Sequence, residues 1–217
     1  MNITNFRRAV AFALNKHTLF DECWEGYAHL LDCHIPRQHP ASIEEEMTYH
    51  YYDEDIMKGL EHLADAGFAD SDHDGWLEGP SLDGPGTIEL DPIRVQYAPG
   101  RIELAAPIYH ALLNLGIPAE LSQTPFQEYE HQLHYHCDYD MVFYGINWNT
   151  IDLDWYVREY LSENIHIPFL NTENWINETW DSLAEVVLHS TDLDEIIQTV
   201  KQMEHICVYE CPAIIMY

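Results

Sequence analysis

Hydrophobic positions along this chain change period repeatedly, and each change marks an element. In residues 4–14, Phe6, Val10, Ala13 and Leu14 recur on one face of a helix, and residues 17–24 give a second helical piece that stops at Gly26. The stretch GYAHLLDCHIPRQHPAS, rich in proline and histidine, fits neither the helical nor the strand period and reads as loop. Ile56, Met57, Leu60, Leu63 and Ala64 then define a strong helix, with Asp53 as its cap and Gly67 just past its end. After an acidic loop over 70–86, residues 87–98 read as a β-run with alternation in IRVQY. A helix over 100–115 closed by Gly116, a short strand over 117–121 and a helix over 125–135 opened by Pro125 come after it. The pattern then predicts a buried strand over 139–146, a helix over 152–161, loop over 164–174, and helices over 178–189 and 192–209. Thr191 and Asp194 are placed as a capping box for the last helix, and 212–217 closes as an apolar strand. Strands alternating with helices predict an α/β fold with a mixed or mainly parallel sheet.

One stretch stands out as a place for a ligand. DYDMVFYGINWNTIDLDWYVREYL runs from a strand through a polar-aromatic loop into a helix opened by acids. In an open α/β sheet, ligands sit beyond the carboxyl ends of the strands, which is where such a loop would lie.

Charge changes the picture more than the other totals do. The 217 residues carry 9 basic against 38 acidic side chains, a net charge of −29, and the only lysines are Lys16, Lys58 and Lys201. A field of that sign repels phosphate backbones and anionic lipid, so nucleic acid is excluded as a partner, while cationic ligands and metal ions are attracted. An adaptation for solubility would produce the same balance. Hydrophobic content of 47% is ordinary, and the absence of an apolar run of 18 residues argues against a membrane span. The first fifteen residues read as an amphipathic helix and not as a signal peptide. Five cysteines, Cys23, Cys33, Cys137, Cys207 and Cys211, without a CxxC pair suggest buried free thiols, with a Cys23–Cys33 bridge as the alternative.

Two motifs carry candidate metal chemistry. Asp70, Asp72, Asp74 and Gly75 form D-x-D-x-D-G, the front half of a calcium loop, with Glu78 at the ninth position and Ser81 where a bidentate glutamate would complete it. The competing expectation is a solvated turn that carries acids. HQLHYHC brings His131, His134, His136 and Cys137 together; His131 and His134 would share a helical face, but the spacing closes no tetrahedral set. Exposed or helix-terminal histidines are the expectation there. No GxSxG, HExxH or glycine-rich phosphate loop occurs, and plentiful acids are not a paired general acid and base, so no enzyme is expected.

The order of motifs resembles a known family. FRRAVAFALNKHTLF, DEDIMKGLEHLADAGFADSDHDGWLEG, RIELAAPIYHALLNLGIPAEL, YDMVFYGINW and the tail DEIIQTVKQMEHICVYECPAIIMY match, in order, stretches of bacterial extracellular solute-binding proteins of family 5. These are the dipeptide, oligopeptide and nickel binding proteins of ABC importers. The resemblance implies a periplasmic-binding-protein-like (type II) lobe, a mixed β-sheet flanked by helices. It makes 1–217 a single lobe, the second of two, with the first lobe absent. It implies an extracytoplasmic, non-catalytic protein that needs no cofactor, binds a peptide or similar small solute and delivers it to an ABC permease. Ligand contacts carried over are Tyr27, Asn147, Trp148, Asn149, Asp152 and Asp154, with one of the two aspartates as counter-ion to a ligand amino group. The plainer expectation is that Asp152 caps the next helix and that Trp148 and Tyr27 simply pack. Alternatives are a stand-alone structural or calcium-dependent interaction domain using Asp70, Asp72, Asp74 and Glu78, binding of nickel or another metal complex, and a hydrolase.

Overall fold

The computed structural model describes residues 3–24, 27–81, 84–145 and 153–217. Helices α1 (Thr4–Ala13) and α2 (Lys16–Trp24) are followed by a long irregular loop and by α3 (Ile56–Asp65). A hairpin of β1 (Glu78–Pro80) and β2 (Thr87–Glu89) comes next, then β3 (Ile93–Tyr97), α4 (Ile102–Asn114), β4 (Ala119–Gln123) and α5 (Phe126–His131). A π-turn over Gln132–His136 leads to β5 (Met141–Val142), α6 (Leu153–Glu159), a 3-10 turn, α7 (Glu178–His189) and α8 (Leu193–Glu210). The sheet has the order β4-β3-β5 with both pairs parallel, and β1 pairs antiparallel with β2 apart from it. The α/β expectation with a mainly parallel sheet stands.

Local chemistry explains where the elements depart from the pattern. The run 87–98 is two strands in two sheets, because Pro92 lacks a ladder donor and biases Asp91 toward a turn. The expected buried strand over 139–146 shrinks to half-buried Met141 and Val142, opposite Val95 and Gln96. Asp140 accounts for part of this: its carboxylate accepts from the Arg94 backbone N–H and from Nε, both at 3.0 Å, where a strand carbonyl would otherwise pair. The tail over 212–217 is not a strand, since its Ile215 carbonyl accepts from the Lys16 ammonium. Asp55, not Asp53, caps α3 by accepting from the Lys58 N–H. Asp192 caps α8 in place of the Thr191/Asp194 pair, taking the N–H groups of Asp194 and Glu195. Gly67 and Gly116 both hold left-handed backbone after a helix, as expected.

Two larger cores result. Around the sheet, Phe6 and Val10 of α1, Leu14 just after it, Leu63 of α3, Leu112 of α4, Val95 and Ile117 are all buried and apolar. Here α1 and α3 approach closely at Gly59, where a Cβ would lie 2.8 Å from Leu115 and 3.0 Å from the Ala9 carbonyl. Among α6, α7 and α8, Tyr156, Tyr160, Trp175 and Trp180 interlock edge to face, with Tyr156 and Trp180 centroids 5.3 Å apart at 81°. Cys33, Cys207 and Cys211 are buried free thiols, and Cys33 forms no bridge.

The irregular loop joins the two larger clusters through a third, smaller one, in which its Cys33, Ile43 and Tyr51 meet Phe12 and Val208, and through polar groups. Lys16 is 1% exposed; its Nζ lies 2.5 Å from Asp32 Oδ1 and 2.9 Å from the Leu31 carbonyl. Asp32 Oδ2 accepts from the Tyr51 N–H at 3.0 Å and meets His50 Nδ1 at 2.9 Å. Glu44 takes the N–H groups of Asp32 and Cys33 with Oε2 and the Tyr52 hydroxyl with Oε1. Burial pushes the Lys16 ammonium below the usual lysine range, and the Asp32 carboxylate opposes that shift. Each carboxylate oxygen here already has a donor, so Asp32, Glu44 and His50 form a structural latch although their ligand atoms lie close together.

Candidate functional site

Parallel pairing brings the carboxyl ends of β3, β4 and β5 to one side of the sheet. A ligand at that edge would therefore meet the segments that leave those strand ends. Beyond β4, the Thr124 N–H donates to the Tyr97 carbonyl at 3.0 Å and ties two strand ends together. Beyond β5, Tyr144 packs edge-on against His134, with centroids 5.0 Å apart. Phe169 lies over the same imidazole at 4.3 Å and is 51% exposed. Its φ of 70° is a conformation a bulky residue adopts only under constraint from its surroundings. The neighbouring His166, Asn171 and Asn174 are also left-handed, so the whole 166–174 turn is tightly wound. Asn171 holds it: its side chain donates to the Leu161 and Trp175 carbonyls and accepts from the Trp175 N–H.

Of the ligand contacts carried over from the family, Asn147, Trp148, Asn149 and Asp152 lie outside the described residues. Asp154 opens α6, with Arg158 one turn on at 3.9 Å and both side chains about half exposed. Tyr27 is 90% exposed and does not pack, contrary to the plainer expectation for it. Sequence reasoning missed Tyr144, Phe169 and the buried acids behind them. Tyr144 lay inside the quoted strand motif. Nothing in the composition of 164–174 marks Phe169, because its placement depends on backbone strain.

Buried titratable groups lie behind this edge. Glu159 of α6 is 5% exposed, its Oε2 has no hydrogen-bond partner, and burial together with nearby Glu173 pushes its carboxyl up to about 8. Glu173, partly covered but with a buried Oε2, is pushed up to about 7 by burial. Glu204, deep in the helical core, accepts from the His34 N–H at 3.0 Å and is also pushed up by burial to about 7. His34 meets the Tyr160 hydroxyl at 2.7 Å and is driven down to about 3 by burial. In each of these groups burial shifts the balance toward the neutral form.

The acidic loop converges as its motif suggests. One carboxylate oxygen from each of Asp70, Asp72 and Asp74 lies within 4.8 Å of the others. The loop is also wound by its own acids: Asp70 accepts from the Gly75 N–H at 3.2 Å and Asp74 from the Trp76 N–H at 2.8 Å. Glu78 Oε2 accepts from the Ser71 N–H at 2.7 Å, and that bond holds its carboxyl below the usual range. His131 and His136 are exposed, as expected, but His134 is buried and does not share a face with His131. His134 is buried against Phe169, whereas His131 faces His136, because the π-turn alters the helical spacing.

The fold recurs in known proteins. A dipeptide-binding protein of Pseudomonas aeruginosa PAO1 is 24% identical over 207 residues, which are 95% of this chain and 36% of that protein. The periplasmic oligopeptide-binding protein of Thermotoga maritima, solved with mannohexaose, superposes with a TM-score of 0.82 at 18% identity over 98% of this chain and 40% of its own. NikZ of Campylobacter jejuni, solved with Ni(L-His), gives a TM-score of 0.78 at 18% identity, covering 98% of this chain and 41% of its own. The chain thus spans little more than a third of the curated relative it matches. The family model for bacterial extracellular solute-binding proteins, family 5 Middle, matches residues 1–166, and the chain belongs to that family.

Proposed function

We propose that this chain is the second lobe of a solute-binding protein and supplies one wall of a cleft for a peptide or similar small solute. One observation carries the reading: three parallel strands end together, with Tyr144 two residues past β5 and Phe169 packed on the same His134 ring. Asp154, with Asn147, Trp148, Asn149 and Asp152 before it in the chain, provides polar and aromatic contacts, and Asp152 or Asp154 meets the ligand's ammonium group. A carboxylate that closure shields from water attracts an ammonium far more strongly than a solvated one does. Tyr27, exposed on its loop, is free to meet ligand or the first lobe. The role is non-catalytic and extracytoplasmic: closure of two lobes holds the solute and presents it to an ABC permease. One wall alone encloses little ligand surface, so this chain binds weakly by itself.

Titrating di- and tripeptides against the full chain while monitoring thermal unfolding tests the reading. A saturable rise in Tm that Asp154→Asn reduces supports it. Stabilisation by calcium and by no peptide would replace it with a calcium-dependent interaction domain, and peptide turnover in the same mixtures would replace it with a hydrolase. A rise with a nickel–histidine complex and with no peptide would move the solute class to metal complexes, the class of the Ni(L-His) held by NikZ.

Calcium is a second reading for one loop only. The convergence of Asp70, Asp72 and Asp74, with Glu78 behind them, suits a hard cation with oxygen ligands. Its role there would be to brace the turn before β1, away from the solute.

A further inference from the structure

The histidine motif, unused by the solute site, acquires a geometry that its sequence does not suggest. In an α-helix of 3.6 residues per turn, residues five apart point well away from each other. Over Gln132–His136 the chain instead forms a π-turn, closed by Cys137 in left-handed conformation with its N–H on the Gln132 carbonyl. A turn bonded from i to i+5 is wider, and it returns residue i+5 to the face of residue i. The His131 and His136 rings consequently face each other, with centroids 5.0 Å apart and planes 35° apart. Both rings are exposed, and among the described residues neither takes a hydrogen bond.

The pair lines an open groove of about 590 Å³ together with the carboxylates Glu128 and Asp138. Asp138 also pairs with Arg94 at 3.5 Å, near the start of β3. The groove therefore runs along α5, from Pro125 just past the carboxyl end of β4 to Asp138 just before β5. Glu128, one helical turn before His131, accepts only a long 3.4 Å bond from Gln132 and is the carboxylate more available as a ligand.

We propose that His131 and His136 form a surface site for a borderline divalent cation such as Zn²⁺ or Ni²⁺, with Glu128 brought in by a side-chain rotation as third ligand and water completing the shell. Neutral imidazoles are the protein ligands these ions prefer, and they bind with nitrogens about 2.0–2.1 Å from the metal. Two rings at the observed separation can take adjacent positions on one ion. The net charge of −29 raises the local concentration of any cation. The site is independent of the solute reading and stands or falls separately from it.

The test is titration of the full chain with Zn²⁺ and with Ni²⁺ by calorimetry, in the presence of a weak competing chelator that masks scattered single histidines. One saturable site is expected. His131→Ala and His136→Ala should each weaken it at least tenfold, and the double variant little further, since one remaining imidazole no longer chelates. His189→Ala, an exposed histidine on α7, serves as control and should leave binding unchanged. Glu128→Gln should weaken binding by a smaller factor, and Ca²⁺ should not compete. Circular dichroism of each variant separates loss of ligand from loss of fold. Equal effects of the His131, His136 and His189 variants, or no saturable site, would overturn the proposal.

Discussion

The two larger cores of this molecule are built on different terms. The sheet core is apolar: Val95, Leu112, Leu115, Ile117 and the α1 face meet there, with no buried carboxylate among the described residues of that cluster. The helical core interlocks four large aromatic rings and also encloses Glu159 and Glu204, with His34 at its edge. Between them the Lys16–Asp32 pair is fully buried, and its remaining bonding capacity is met by carbonyls and N–H groups. The first core therefore depends on shape, and the second region depends on protonation state and on complete hydrogen bonding.

That contrast can be broken most severely at the latch. Asp32→Ala leaves the Lys16 ammonium buried without its carboxylate, and the expected loss is about 3–5 kcal/mol in urea unfolding. Leu112→Ala in the sheet core removes apolar contact and leaves a cavity, for an expected loss of about 2–5 kcal/mol. This loss should be the same at pH 6 and pH 8.5, because the cluster around Leu112 is apolar.

Protonation should separate the cores next. Folding raises the carboxyl pKa values of Glu159 to about 8 and of Glu173 and Glu204 to about 7, so the native state holds protons that the unfolded chain releases. Their contribution is fully present below the unfolded carboxyl range and is lost as pH rises through 7 and 8. Tm should fall from pH 5.5 to pH 8.5. Glu159→Gln should flatten that slope, recovering on the order of 1–3 kcal/mol at the alkaline end. An unchanged slope in the variant would mean that Glu159 is ionised in the native state at no cost. The smallest effect is expected at Asp154→Asn, where an exposed pair with Arg158 contributes less than about 0.5 kcal/mol. Any larger change seen with ligand present then reports binding and not folding.

The same contrast governs what could be read before the structure. Elements of the sheet core, such as α1, α3 and α4, keep to the apolar period, and their ends obey glycine chemistry at Gly67 and Gly116. The helix Glu178–His189 was legible to the residue. The features that escaped were places where a side chain stands in for backbone: Asp140 taking a ladder donor of β3, and Lys16 taking the tail carbonyl of Ile215. Those substitutions shortened one expected strand and dissolved another, and hydrophobic pattern carries no record of them. The solute edge was legible as a place, through the strand–loop–helix stretch and the family resemblance. Its aromatic rim was only half legible, because Phe169 arrives from a loop whose left-handed turns leave no mark on composition. The π-turn was not legible either, and it alone re-pairs His131 from His134 to His136.

The most direct test of the central claim, that solute meets this chain at the carboxyl ends of β3, β4 and β5, is a residue-resolved footprint. Amide chemical shifts of the isotope-labelled chain should be tracked through a dipeptide titration to saturation. Saturable changes concentrated at 98–101, 124–126, 143–154 and around Phe169, with residues near Asp138 and Arg94 unmoved, are the expected result. Changes centred on the amino ends of the strands or on the acidic loop at 70–78, or no saturable change anywhere, would contradict it.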